Sequence, residues 1–514
     1  MTVLGPSAPA ARPPAAGPAG FVRSDQTRLV DGQGQELLMR GVNLGNWLLP
    51  EGYMWLFGPQ AASPRQIEGL VERLTGPDWA AEFWVRYRDV FIAEADIARI
   101  AACGFDHVRL PLNARVLQDR HGRPIEAGHA LVDRLIEWCR RWGLRVLLDL
   151  HGAPGGQTGT NIDDSPNGLP ELFLDPAQQD LTARLWHDLA ARHADEPTVL
   201  GYDLLNEPLP NQWQDRHDDL RACYRRLTAT IRAVDQNHLL MYEGSHWATN
   251  WTVFDEVWDD NSALQFHKYW SPPDRESLAV FLRARQRLGL PIFMGESGEN
   301  TVEWLYTAFR LYESEGIGWT FWPWKKLQTR TSPVSVLAPH DWRRVIDSVD
   351  GPARLDRTEA RACFEQLLDR VQLERAEWRE DVVRALLGDR PSRIPAWGFG
   401  WRGAGSSHQV AERCDDPVFR LGDRAPIRFA RSDDPPDNPF GQTDGRDYSA
   451  AETLTVDLQA GDWLEFEVGP SARTEAVICL DLNGDAAPVT VTGVDRGLRV
   501  TADQSTRLVR IEWK

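Results

Sequence analysis

Eight short apolar runs lie along residues 25–325, and most are separated by stretches in which apolar residues return every three to four positions. Continuous apolar strands between amphipathic helices are typical of a parallel sheet covered on both faces. Eight such units predict an α/β fold, a (β/α)8 TIM barrel. A doubly wound open sheet is the runner-up, but RGVNLGNW lacks its glycine-rich phosphate turn. The predicted strands are 37–44, 106–112, 144–151, 200–208, 238–244, 263–269, 291–298 and 316–324.

The pattern changes beyond residue 325. Residues 357–388 have the periodicity of helices, and RPSRIPAWG (390–398) carries two prolines and indicates a connection. Apolar and polar residues then alternate, which predicts a C-terminal antiparallel β-sandwich. Its strands are expected within 454–469, 476–484, 488–493, 498–502 and 506–513. We therefore divide the chain into a Pro/Ala-rich tail (1–22), a catalytic barrel (23–390) and the sandwich (391–514).

Charge limits the partners that this chain can bind. Its 514 residues include 57 Lys and Arg against 75 Asp and Glu, a net charge of −18. Such a surface repels phosphate backbones, so we expect no nucleic-acid partner. No apolar run has the length of a membrane span. The oligomeric state cannot be read from the sequence.

The first residues and the cysteines favour a cytoplasmic protein. Residues 1–20 lack the basic start and apolar stretch of a secretory signal. The six cysteines are widely scattered, with no CxxC and no metal-ligand spacing, which is typical of free thiols. A secreted protein whose leader had been removed would have the same features.

Polar or aromatic side chains stand at the ends of several predicted strands, where barrel enzymes carry their active sites. Each alone is weak, but a barrel built only for stability has no need of such a series. Together they predict an active site at this face. The residues are Arg109 in the second strand, His151 at the third, Asn206 and Glu207 at the fourth, His267 and Tyr269 at the sixth, Glu296 at the seventh and Trp322 at the eighth.

Two of these residues, Glu207 and Glu296, are carboxylates on different strands. Glycoside hydrolysis needs such a pair, one to protonate the leaving oxygen and one to attack the anomeric carbon or activate water. The two groups need different pKa values at one pH. Neighbouring residues suit the same chemistry: Asn206 for a sugar 2-hydroxyl, Tyr269 and Arg109 to keep Glu296 ionised, His151 and His267 for hydroxyls or tuning, and Trp322 for the sugar face.

These residues and their motifs resemble glycoside hydrolase family 5, in the clan of retaining (β/α)8 β-glycosidases. The resemblance covers about residues 35–325. It implies Glu207 as general acid/base and Glu296 as nucleophile, with supporting roles for Arg109, His151, Asn206, His267, Tyr269 and Trp322. The motifs are RGVNLGNWLLPEG, VRLP (108–111), LDLHGAPGGQTG (148–159), LLNEP (204–208), HKY (267–269), GESG (295–298) and FWPWK (321–325).

Within the family, the first and third motifs are similar to the exo-β-1,3-glucanase and β-glucosidase branch. That resemblance implies Glu51 as a residue that grips the terminal sugar, unless it is only a loop charge. The chain departs from the branch at TNIDDSPNG (160–168), where Asp163 and Asp164 either bind hydroxyls or cap the loop. The C-terminal sandwich is similar to the small β-domain of glycosylceramidase-like members.

We therefore expect a retaining β-glycoside hydrolase that needs no cofactor or metal. Its expected substrate is a carbohydrate, a β-glucoside or β-glucan cleaved from the chain end. The alternatives are an endo-β-1,3- or β-1,4-glucanase, a mannanase, and a glycolipid or steryl glucoside hydrolase. An alternative from another class is a carbohydrate-binding protein, with Trp397, Trp401 or Trp463 of the sandwich as its platform, although a structural role for the sandwich is favoured.

Overall fold

A computed structural model of the chain describes residues 20–431, 433–469 and 477–513. Eight parallel strands close into a barrel in which the last strand pairs with the first. All eight were predicted from the apolar runs, so the (β/α)8 fold is confirmed. The barrel strands are β1 (Arg40–Asn43), β2 (His107–Asn113), β3 (Arg145–Gly152), β4 (Val199–Asp203), β5 (Leu239–Glu243), β6 (Ser262–His267), β7 (Ile292–Gly298) and β8 (Gly318–Trp322).

The barrel helices form where apolar residues recur every three to four positions along the sequence. Glu126–Trp142, for example, buries Val132, Leu135, Ile136 and Cys139 at the three-to-four spacing of one helix face, and it ends at Gly143 with φ 73°. Such helices cover the outer face of the barrel sheet, while side chains of the strands fill its interior. The helices are Pro64–Thr75, Pro77–Val90, Glu94–Cys103, Ala114–Leu117, Glu126–Trp142, Pro176–His193, His217–Arg232, Ser245–Ala248, Arg275–Leu288, Val302–Ser314, Trp342–Ile346, Arg357–Arg370 and Glu380–Leu387.

The amino-terminal end of the barrel is closed by a hairpin of Arg23–Asp25 and Arg28–Val30. Val22 and Leu29 pack there with inward-facing residues of the barrel strands, such as Leu147 and Phe293. The opposite end stays open for a site. The predicted tail of residues 1–22 lies almost entirely outside the described residues.

The C-terminal part forms two antiparallel sheets, as the alternation predicts. The predicted strand within 454–469 is in fact two strands, because a turn at 459–462 sends the chain into the other sheet. One sheet contains Arg393–Pro395, Ile427–Phe429, Leu454–Leu458, Val477–Asp481 and Thr506–Trp513. The other contains His408–Gln409, Trp463–Glu467, Val489–Val494 and Gly497–Ala502. Short strands at Lys325–Leu327, Val334–Val336 and Glu377–Trp378 form a further small sheet beside the barrel.

The sandwich packs against the barrel helix Val302–Ser314, and one hydrophobic core runs through both. Tyr306 donates a hydrogen bond to the carbonyl of Glu467 at 2.8 Å, and Glu303 pairs with Arg393 at 2.6 Å. Trp397 and Trp401 are buried in this core, so they cannot serve as a sugar-binding platform. Within the described ranges, no helix has the length and apolar character that a membrane crossing requires.

Candidate active site

A cavity of about 480 Å³ opens at the carboxyl ends of the barrel strands. Side chains from six connections and from the sandwich line it, and both Glu207 and Glu296 are among them. The site predicted at the strand ends therefore coincides with a cavity. Its lining is Glu51, Tyr53, His151, Asn161, Ile162, Glu207, Trp247, Thr249, His267, Tyr269, Trp270, Glu296, Glu299, Trp322 and Gln442.

Glu296, near the end of β7, is held by two hydrogen bonds. Arg109 of β2 donates from Nη1 to Oε1 at 2.5 Å, and Tyr269 donates from its hydroxyl to Oε2 at 3.1 Å. Arg109 is fully buried and also donates to Asn206 Oδ1 at 2.9 Å. The predicted contacts of Arg109 and Tyr269 with Glu296 are therefore present.

Glu207 follows β4 and takes an unusual backbone conformation, with φ 46°. Its backbone N–H donates to Glu243 Oε2 at 2.7 Å, and its carboxylate Oε1 lies 2.6 Å from His267 Nδ1. A non-glycine residue in the left-handed region costs about 1–3 kcal/mol and persists only where its surroundings fix it. Here Glu243 and His267 hold the backbone and the side chain of Glu207.

The two carboxylates face each other across the cavity. Glu207, His267 and Glu296 each place one polar atom within 4.8 Å of the others. His267 stands between the two acids, with Nδ1 at 3.7 Å from Glu296 Oε2. The imidazole of His267 therefore contacts Glu207 directly and also lies close to the carboxylate of Glu296.

The ionisable side chains around the cavity differ in the direction in which their pKa values are shifted. Burial works against ionisation of Glu296, but the positive charges of His267 and Arg109 outweigh it, so the pKa of Glu296 lies below its ordinary value. Burial likewise opposes charge on His267, yet the carboxylates of Glu243, Glu296 and Glu207 raise its pKa well above the ordinary value. Glu296 is thus an anion beside a histidine that keeps its proton.

His151 and Trp322 form one wall. Their rings stack 5.5 Å apart at an interplanar angle of 4°. Burial lowers the pKa of His151 to about 4, so the ring is neutral near pH 7. Its Nδ1 lies 2.7 Å from Asp149 Oδ2, and Trp322 Nε1 donates to the Tyr53 hydroxyl at 2.7 Å. The indole is therefore fixed at both sides and presents a rigid surface to the cavity.

Glu51 comes from the connection after β1 and is buried at the cavity wall. Its Oε1 has no hydrogen-bond partner among the described residues. Burial raises its pKa well above the ordinary carboxyl value, and the negative charges of Glu296 and Glu299 add to this effect. Glu299, paired with Lys326, completes this part of the wall.

Asp163 and Asp164 cap their loop and do not line the cavity. Asp163 accepts hydrogen bonds from the backbone N–H groups of Thr158, Gly159 and Ser165 at 2.7–3.0 Å. Asp164 accepts from the backbone N–H of Arg65 at 3.1 Å. These contacts favour loop capping for Asp163, and Asp164 is held by Arg65, Asn113 and Arg115 of neighbouring connections, so neither aspartate lines the cavity.

Among the residues that the structure describes, two groups of side chains have the spacing of a metal site. One is Glu207, His267 and Glu296, and the other is Asp149, Asp203 and Glu243. In the second group Arg109 already contacts all three carboxylates, at 2.8–3.2 Å. The guanidinium therefore occupies the place that a cation would take there.

Comparison with known protein families matches residues 67–328, half of the chain, to Cellulase (glycosyl hydrolase family 5). This chain belongs to glycosyl hydrolase family 5. As a family 5 member it is a glycoside hydrolase, which confirms the resemblance read from the motifs. All eight residues that the resemblance named lie in or directly against the cavity.

Several named relatives are glycosidases. A β-xylosidase from Phanerodontia chrysosporium is 26% identical over 346 residues, 60% of this chain and 71% of that protein. Endoglucanase C from Acetivibrio thermocellus is 31% identical over 37% of this chain and 55% of its own length. Glucan 1,3-β-glucosidase from Blumeria graminis is 29% identical over 45% of this chain and 55% of its own length. The chain thus spans just over half the length of the last two.

Among solved structures, an endogalactoceramidase aligns with a TM-score of 0.49 and 16% sequence identity. The alignment covers 96% of this chain and 100% of that one.

Sequence reasoning missed nine residues of this family 5 site. Glu243 lies beneath the cavity at the end of β5, and the others line the cavity. Four of them follow barrel strands closely, which was the available signal. Gln442 had no such signal, because it lies more than 100 residues beyond the barrel strands. The nine are Tyr53, Asn161, Ile162, Glu243, Trp247, Thr249, Trp270, Glu299 and Gln442.

Proposed function

We propose that this family 5 enzyme is a retaining β-glycosidase that removes glucose units from β-glucosides or from the ends of β-glucans. In this proposal Glu296 is the nucleophile and Glu207 the general acid/base. The separation of their carboxylates carries the proposal. Retaining enzymes hold the two groups about 5–5.5 Å apart, whereas inverting enzymes need about 6.5–9.5 Å for a water. Oxygens of Glu207 and Glu296 lie within 4.8 Å of each other.

The reaction then has two steps. Oε of Glu296 attacks the anomeric carbon, the glycosidic C–O bond breaks, and the leaving oxygen takes the proton of Glu207. In the second step Glu207, now a carboxylate, takes a proton from water while the water oxygen attacks the same carbon. The bond to Glu296 breaks, and the sugar leaves with its original anomeric configuration.

The neighbours of the two acids support these roles. Arg109 and Tyr269 stabilise the anionic form of Glu296, which the first step requires. His267 contacts Glu207 Oε1 at 2.6 Å and orients it. In this proposal Asn206, which accepts a hydrogen bond from Arg109 at 2.9 Å, binds the 2-hydroxyl of the sugar. These contacts orient the acids before substrate arrives, so little reorganisation is needed in the transition state.

Two features support attack from a chain end. The cavity is a pocket with walls on both the β1 and the β5–β6 sides, formed by Tyr53, Trp247 and Trp270. Glu51 lies in the wall with an unpaired carboxyl oxygen, which is suited to a hydroxyl of a terminal sugar. The names of the relatives include a glucan 1,3-β-glucosidase, which has the same class of substrate.

A second cavity favours an endo-acting glucanase as the second candidate. It has a volume of about 790 Å³ and shares Tyr53 and Asn161 with the first. A longer chain that runs from one cavity into the other would be cut internally.

Trp247 and Trp270 are more than a third exposed at the rim of the first cavity, which suits a glycoside with an apolar aglycone.

The test is a release assay with p-nitrophenyl β-glycosides, octyl β-glucoside and short β-1,3-, β-1,4- and β-1,6-linked glucose oligomers. We expect glucose release from at least one of them, with a loss of about 10⁴-fold or more in kcat for Glu296→Gln. Proton NMR of the first product should show the β anomer.

The exposed Glu82→Gln on helix Pro77–Val90 is the matched control and should leave turnover unchanged. Release of the α anomer would contradict the retaining mechanism. Release only from internal bonds of longer oligomers would replace the exo proposal with the endo-glucanase. Full activity in Glu296→Gln would overturn the assignment of the nucleophile.

A further inference from the structure

A loop of the C-terminal sandwich reaches the catalytic cavity. The loop comprises residues 438–448 and lies between strands Ile427–Phe429 and Leu454–Leu458 in the chain. It is fixed to the barrel at three points. Asn438 Nδ2 donates to the carbonyl of Trp270 at 2.8 Å, Asn300 Nδ2 donates to the carbonyl of Phe440 at 3.1 Å, and Thr301 Oγ1 donates to the Tyr448 hydroxyl at 3.1 Å.

This attachment places Gln442 at the cavity wall, where it is exposed. Its Nε2 lies 3.3 Å from Asp444 Oδ1 within the same loop. A primary amide offers two N–H donors and one carbonyl acceptor, and a sugar hydroxyl both donates and accepts. Gln442 is thus suited to a hydroxyl-bearing ligand.

Trp270 stands beside the loop in a constrained conformation. Its φ is 44°, and its indole Nε1 donates to the carbonyl of Glu299 at 3.2 Å. Asn438 also donates to the backbone carbonyl of Trp270, so both the side chain and the backbone of Trp270 are held. A bulky residue with a left-handed backbone conformation is strained, and strained residues of this kind are common at functional sites. The strain here keeps a partly exposed indole at the cavity rim.

Tyr269, Trp270 and Gln442 lie at increasing distance from the two acids. Tyr269 contacts Glu296 directly, and the Trp270 ring centroid lies 5.4 Å from that of Tyr269. The loop that carries Gln442 lies against Trp270. Trp270 and Gln442 are therefore one layer farther from the reacting carbon than Tyr269. Beyond Tyr269, the next side chains that line the cavity on this side are Trp270 and Gln442.

We propose that Trp270 and Gln442 form a binding subsite for the sugar unit next to the one held by Glu207 and Glu296. The indole takes the flat face of the ring, and the Gln442 amide binds a hydroxyl. The sandwich then takes part in substrate selection by completing the cavity. This proposal rests on the proposed glycosidase function.

The experiment measures binding in the full chain carrying Glu296→Gln, so that no probe is consumed. The probes are cellobiose, laminaribiose and gentiobiose, with methyl β-glucoside as a ligand of one sugar and octyl β-glucoside as a ligand with an apolar tail. Titration calorimetry is carried out without and with Gln442→Ala. Removing one neutral hydrogen bond should weaken the tightest disaccharide by about 3- to 10-fold, with methyl β-glucoside changed by less than about 2-fold.

Asn438→Ala should weaken the same disaccharide, because it releases the backbone of Trp270. Gln459→Ala is the matched control: it removes an exposed glutamine of the same domain that does not line the cavity. Equal effects on the disaccharide and on methyl β-glucoside, a stronger effect on octyl β-glucoside, or no disaccharide binding would overturn the subsite. The subsite alone fails if the wild type cleaves glycosides while Gln442→Ala binds disaccharides normally. Absence of all turnover by the wild type instead overturns the proposed function.

Discussion

At the residue scale, the two glutamates differ in their neighbours. Glu296 accepts hydrogen bonds from a guanidinium and a phenol, whereas Glu207 contacts an imidazole. The first environment favours an anion that can attack carbon. The second places a proton-carrying ring against a group that must give up and recover a proton. Environment, rather than residue type, separates the roles that we propose for them.

Glu243 connects both glutamates, and we predict that it is a positioning residue. Its carboxylate accepts from the Glu207 backbone, from Arg109 at 2.9 Å and from Gln265, and it lies 3.2 Å from His267 Nε2. Glu243→Gln puts a donor where these donors converge. We expect kcat/KM to fall by about 10²-fold, the scale of a 1 Å misplacement of catalytic groups.

A pH profile of kcat separates positioning from a merely structural role. Glu243→Gln removes one of the carboxylates that raise the pKa of His267, so a limb governed by His267 should move to lower pH. Glu82→Gln should leave the profile in place. An unchanged profile with reduced activity would show that Glu243 acts only on stability.

At the element scale, helix Val302–Ser314 connects strand β7 to the sandwich. It begins four residues after β7, which carries Glu296, and its residues Glu303 and Tyr306 contact the sandwich. Thr301 caps its first turn: Oγ1 accepts from the Trp304 backbone N–H at 3.2 Å. The same oxygen donates to Tyr448 of the 438–448 loop. One side chain therefore caps the helix and holds the loop.

Thr301→Ala should lower the free energy of unfolding by about 1–2 kcal/mol, because an N-cap acceptor is lost at a buried helix start. Urea unfolding followed by tryptophan fluorescence measures this. Thr301→Ser keeps the hydroxyl and should remain closer to the wild type. If both variants lose the same stability, the cap is not the cause.

At the scale of the whole molecule, buried ionisable groups couple stability to pH. Burial raises the pKa of Glu51 well above the ordinary carboxyl value, and the negative charges of Glu296 and Glu299 add to this effect. The pKa of Asp149 is also raised well above its ordinary range, mainly by burial. The folded state therefore keeps protons near neutral pH that the unfolded chain has already lost.

Stability should fall as pH rises from about 6.5 to 8. For carboxyl groups with raised pKa values the folded state binds more protons than the unfolded state, so the free energy of unfolding decreases with pH. His267 acts in the same direction, because its folded pKa lies above 6.5. Each retained proton contributes up to about 1.4 kcal/mol per pH unit.

Urea unfolding at pH 6.5 and pH 8 tests this coupling. The buried histidines whose pKa values burial lowers, such as His107 (to about 3) and His151 (to about 4), affect stability only below this window. Glu51→Gln should reduce the difference in the free energy of unfolding between the two pH values. Equal wild-type stability at both would contradict the coupling.

The sequence predicted most of this architecture. Strands buried on both faces are largely apolar, so β2 and β3 were visible as nearly continuous apolar runs. The turn at 459–462 was missed because the alternation of apolar and polar residues resumes directly after Gly461 and Asp462. The residues at the strand ends were found because parallel strands bring their carboxyl ends to one edge.

The sequence by itself determined the fold, the family and the pair of acids, since these depend on local periodicity and on motifs within single strands. Only the tertiary structure decided which distant groups converge on them. Glu243 reaches Glu207 because neighbouring barrel strands align their ends, and Gln442 reaches the cavity because the sandwich packs on helix Val302–Ser314. Such contacts depend on packing between elements far apart in the chain, and no local pattern records them.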